Sequence, residues 1–202
     1  MNRFPVHIRL SLVLIASALC IGAVAGLASA SLFWSGSLEK HLPSVALEAG
    51  RLPVGITVFG RSSDTISARL TIYNPVGEIL GTVERSWSGW ELVLDCIVVG
   101  TGNGWLVFPY TLYSDESSPD RGVNLLKIYN RNGFPAIWDK GALQQAERKS
   151  LSRLFFIVRT ERWMPRILGS LHHERVTIRS FEPGIEYSLF AASSGRLEWR
   201  PF

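Results

Sequence analysis

ELVLDCIVV, residues 91–99, runs into Gly100-Thr101-Gly102-Asn103-Gly104 and then into WLVFPYTLY, residues 105–113. A glycine-rich run after a strand has two readings, and the choice between them decides the fold. In a phosphate-binding loop the glycines admit backbone N–H groups to an anion and lead into a helix, whose N-terminus completes the site. Here Trp105-Leu106-Val107-Phe108 follows, which is strand sequence. The run is therefore a hairpin turn, and no nucleotide site is expected. Residues 91–99 carry apolar side chains on both faces, the pattern of a central strand covered on two sides.

Outward from this hairpin, further strands follow. Val54, Ile56 and Val58 alternate with Gly55, Thr57 and Phe59, and Ala68, Leu70 and Ile72 alternate with Arg69, Thr71 and Tyr73. Asn74-Pro75-Val76-Gly77 fits a β-turn closing onto a strand over residues 78–86. A polar loop over 114–122 and a strand over 123–129 come next. The period then changes: Leu151, Leu154, Phe155 and Val158 stand at i, i+3, i+4 and i+7, so residues 142–162 read as an amphipathic basic helix ended by Pro165. Three short strands, over 175–181, 185–191 and 196–201, close the chain, separated by Glu182-Pro183-Gly184 and Ser193-Ser194-Gly195. The expected fold is mainly β, an antiparallel sandwich or partly open barrel over residues 53–202 with one packed amphipathic helix.

Ahead of this domain, residues 10–34 contain no charged side chain. At about 1.5 Å per residue they span roughly 37 Å as a helix, enough to cross a bilayer with some tilt. Arg3 and Arg9 precede the stretch, so positive-inside logic leaves residues 1–9 in the cytoplasm and the domain beyond the membrane, in the periplasm or at the cell surface. Trp34 falls where an interfacial indole is favoured. Ala28-Ser29-Ala30 offers a signal-peptidase site, and cleavage there would give a secreted chain beginning at Ser31. The apolar run is longer than a signal-peptide core and continues past that site, which favours a retained signal-anchor followed by a juxtamembrane linker over 35–52.

The chain carries 21 Lys and Arg against 17 Asp and Glu, a net charge of +4. The excess is concentrated between Lys140 and Arg179. No basic arm, finger spacing or aromatic-basic RNA motif focuses it, so nucleic acid is not an expected partner. Of the two cysteines, Cys20 lies in the apolar stretch, leaving Cys96 without a partner in the domain.

Each chemical candidate has a plain structural alternative. Cys96 with His41, His172 or His173 could form the thiolate–imidazole pair of an envelope cysteine hydrolase or transpeptidase, whereas a lone cysteine in a strand is ordinarily buried and inert. His172-His173-Glu174 offers metal-ligand types, but neighbours in an extended segment point to opposite faces. Asp115, Glu116 and Asp120 lack the spacing of a calcium loop. No metal or cofactor is expected. Trp87, Trp90 and Trp105 lie close to two turns; grouped and exposed, they would form a carbohydrate-binding or partner-binding surface, and otherwise they fill the core. Arg153, Phe156, Arg159 and Trp163 could rest on a membrane surface. The functional expectation is a non-catalytic, membrane-anchored binding or scaffolding domain of a cell envelope, engaging a protein or polymer partner.

Overall fold

Asn74-Pro75-Val76-Gly77 closes a hairpin in the computed structural model, which describes residues 50–101, 104–160 and 171–202. The Gly77 N–H donates to the Asn74 carbonyl at 3.0 Å, and the Asn74 side-chain oxygen accepts from the backbone of Val76 and Glu78. Gly77 takes φ +91°, a conformation that favours glycine. The turn joins β2 (Thr65–Tyr73) to β3 (Ile79–Ser88), and β1 (Gly50–Arg61) pairs with the other side of β2. Val54, Ile56 and Val58 lie opposite Ile72, Leu70 and Ala68, and all six are buried on one face.

β1 begins at Gly50, inside the segment expected to be linker, and runs through Pro53. Its pairing with β10 (Glu186–Ala191) passes from Arg51 opposite Phe190 to Gly55 opposite Ser188, with an irregularity between them. Pro53 sits in that irregularity, where its missing N–H breaks no regular ladder bond.

β4 (Leu92–Thr101) and β5 (Gly104–Ser114) form the hairpin expected at the glycine-rich run. β6 (Val123–Asn124) continues beside β5, and β9 (Leu171–Ile178) pairs with the far side of β4. With β11 (Leu197–Pro201), two principal antiparallel sheets result, ordered β11-β10-β1-β2-β3 and β6-β5-β4-β9. A small third sheet pairs β7 (Asn130–Arg131) with β8 (Phe134–Pro135).

The strand expected over 123–129 is corrected to two residues of strand followed by a helical turn, α1 (Leu126–Tyr129). The Asn124 side-chain oxygen accepts the Leu126 N–H at 3.0 Å and starts the turn. Leu125, Leu126 and Tyr129 are buried while Lys127 is exposed, an i, i+1, i+4 pattern that fits one face of a helix and breaks the alternation of a strand.

The main helix, α2, runs Gln145–Thr160 and buries the expected stripe of Leu151, Leu154, Phe155 and Val158. It starts later than residue 142 because Gln144 caps it: the Glu147 carboxylate reaches back to the Gln144 N–H at 2.8 Å. The positions between Thr160 and the expected end at 162 lie outside the described residues, as do Trp163 and the stretch 10–34. Among the described residues no helix is long and apolar enough to cross a membrane.

α2 explains why β4 is apolar on both faces. On one side, Phe108 of β5, opposite Ile97 of β4, stacks on Phe155 with ring centroids 6.1 Å apart and meets Trp138 edge-on at 6.4 Å. Tyr129 completes this layer, its hydroxyl donating to the Pro109 carbonyl at 2.9 Å. The other side turns toward the first sheet: Trp105, on the face shared by Val98 and Leu94, donates its Nε1 proton to the Ser193 carbonyl in the β10–β11 turn. Gly195 in that turn must lack a side chain, because a Cβ there would come within 2.8 Å of the Trp105 ring. The order of layers is sheet, sheet, helix.

Phe155→Ala should therefore cost about 3–5 kcal/mol, read as a lower urea midpoint at unchanged slope. A loss below about 1 kcal/mol would mean that α2 does not cover the second sheet.

Candidate binding cleft between the open sheet edges

β9 and β11 each have one hydrogen-bonded neighbour in their sheets, β4 and β10 respectively. These two edge strands lie beside each other, and between them runs a cleft of about 400 Å³. One wall carries Glu174, Arg175 and Thr177 of β9 with Arg179 just beyond it; the other carries Glu198 and Trp199 of β11 with Arg196 just before it. Trp199 is half-buried, and its Nε1 has no acceptor among the described residues. Arg179 is held by Glu91 at 3.0 Å, which fixes one end of the cleft. A cleft between two edge strands offers unpaired backbone donors and acceptors on both sides, together with an indole and several guanidinium groups. Such a lining suits an extended polypeptide segment better than a compact metabolite.

β9 is fastened to β4 by a buried carboxylate that the sequence reading did not single out. The Asp95 side chain is only 4% exposed and lies within the apolar run of β4. It faces His173 Nδ1 at 2.9 Å and Arg175 Nε at 3.9 Å, both on β9. A buried carboxylate requires such partners, so an acid inside ELVLDCIVV was the available signal. His173, 36% exposed, also meets the Tyr110 ring edge-on at 5.6 Å. Asp95 thus sets the imidazole orientation and holds the cleft wall. Asp95→Ala should lower stability by roughly 2 kcal/mol in urea titration, with Asp95→Asn losing less; equal stability of all three proteins would leave the anchor without energetic weight.

The candidates from sequence are distributed as follows. Cys96 is fully buried and faces the first sheet, whereas Asp95 and His173 occupy the opposite face of the same β-sheet. Burial pushes its thiol well above the ordinary value of 9.0, with the Asp95 and Glu174 charges adding to the effect. A thiol so placed is protonated at neutral pH and poorly nucleophilic. His172 and His173 alternate faces, as adjacent strand residues must: His172 packs edge-on against Trp105 at 6.2 Å. Asp115 is a clamp for the β3–β4 turn, accepting from the Trp90 and Glu91 N–H groups at 2.9 and 3.1 Å.

The three tryptophans do not form one strip. Trp87 is 3% exposed and belongs to the core, Trp90 is 52% exposed at the β3–β4 turn, and Trp105 is half-buried at the other end of β4. On α2, Arg153, Phe156 and Arg159 share the outward face. No family model matches the chain, and no curated protein or solved structure is significantly similar to it.

The titration of buried groups gives a prediction of known sign. Burial raises both the Cys96 thiol and the Tyr129 phenol well above their ordinary values of 9.0 and 10.0. Below the unfolded-state values both groups are neutral in either state and their contribution to stability is complete. Above about pH 9 the unfolded chain ionises while the folded one holds its protons, so stability falls as pH rises toward the folded values. Urea midpoints should drop between about pH 9 and 11, and Cys96→Ala should flatten the first part of that drop. An unchanged slope in Cys96→Ala would contradict the thiol's share.

Proposed function

We propose that this chain is a non-catalytic binding domain tethered at a membrane, its work being to hold an extended segment of an envelope partner between β9 and β11. The observation that carries the reading is the cleft of about 400 Å³ between two strands with free edges. An added strand would gain backbone hydrogen bonds along an edge. Trp199, Arg175, Arg179 and Arg196 would select its side chains. The charge-free residues 10–34 support the tether, with the flanking Arg3 and Arg9 supporting an extracytoplasmic domain.

A photoreactive side chain at Thr177, in the cleft, should give discrete adducts when the full-length chain is expressed in its membrane. Peptide mapping should place the partner's end of each adduct in one extended segment. The same probe at Ser86, on β3, is the comparison. Arg196→Glu, an exposed substitution, should reduce the Thr177 adducts at least tenfold without lowering the melting temperature. Adducts from Thr177 no more abundant than those from Ser86, or indifferent to Arg196→Glu, would contradict the reading.

A further inference from the structure

The outward face of α2 combines cations with one exposed aromatic ring. Phe156 is 58% exposed although it lies mid-helix, and exposed Lys149, Arg153 and Arg159 surround it at spacings of seven, three and three residues. The only acid in the helix, Glu147, is in its first turn and directed to the Gln144 N–H. Asp139, the acid beside that turn, is paired with Arg148 at 3.2 Å. Among the described residues Lys149 and Arg153 enter no ion pair, and Arg159 leans over the Phe155 ring at 5.9 Å. Leu151, Leu154, Phe155 and Val158 make up the buried stripe, and Phe156 stands outside it with most of its ring in solvent.

From this face we infer that α2 is a docking surface for anionic lipid headgroups, with Phe156 entering the headgroup boundary and Lys149, Arg153 and Arg159 meeting lipid phosphates. Charge complementarity identifies the occupant as anionic. The exposed ring at the centre of the cations distinguishes a lipid surface from a purely polar polyanion, which would leave Phe156 without a partner. Three cations at the surface correspond to a preference for anionic over neutral lipid on the order of a hundredfold. The inference stands apart from the cleft, because neither β9 nor β11 contributes to it.

The test uses the full chain with Cys20→Ser and Ser152→Cys, labelled at position 152 with an environment-sensitive fluorophore; Cys96 is buried and stays unlabelled. Vesicle association as such reflects residues 10–34 and is not the readout. With phosphatidylcholine vesicles containing 30% phosphatidylglycerol (about one lipid in three), the emission should shift to the blue and be quenched by shallow spin-labelled lipid. Both effects should disappear with phosphatidylcholine alone, at high salt, and in the Arg153→Glu, Arg159→Glu double variant, whose folding is checked by circular dichroism. No shift overturns the inference. So does an equal shift in neutral vesicles, a shift that survives the double reversal, or the same shift from a label at Ser86→Cys.

Discussion

Everything else in the domain depends on β4 being covered on both faces. Leu94 and Val98 face the first sheet while Ile97 lies with Phe108 beneath Phe155 of α2. A strand with one wet face would have left either the helix or the first sheet with nothing to bury, since each contributes only one apolar side. The same constraint makes Asp95 conspicuous. A carboxylate in that position has lost its water, and the structure restores partners from a single neighbouring strand: His173 and Arg175 of β9. These contacts tie β9 to β4 in the register that places Asp95 opposite Arg175 and Ile97 opposite His173.

Once β9 closes that side of the second sheet, no described strand continues beyond it, and β11 ends the first sheet at the same place. Open edges invite unwanted pairing, and charged side chains along them are one way proteins limit it. Here Glu174 and Arg175 on β9 and Glu198 and Arg200 on β11 interrupt both edges. Both edges are thus broken by charge, and the cleft between them is lined by an indole and several guanidinium groups.

Where local chemistry determined structure, the sequence was readable. Asn74 and Gly77 specify a turn by their own hydrogen bonds and backbone preference, the alternation Ala68, Leu70, Ile72 specifies a half-buried strand, and the Leu151 to Val158 spacing specifies the buried face of α2. Long-range partners were not readable. Asp95 and His173 are separated by 78 positions, and nothing local announces that they meet. Pro53 seemed to mark a boundary because its tolerance depends on an irregularity in the pairing with β10. Val123 to Tyr129 resembled a strand by composition, yet the Asn124 side chain turns the chain into a helix after two residues. The tryptophans near two turns gave no indication that Trp90 and Trp105 occupy opposite ends of β4, with Trp87 in the core.

Amide hydrogen exchange on the folded chain tests the layered arrangement most directly. The account requires the β4 amides from Leu94 to Val98 to be among the slowest, opening only with global unfolding, while β9 and β11 show fast-exchanging amides on their outward edges. Uniform protection across β9, or a β4 that exchanges as readily as the edge strands, would contradict it.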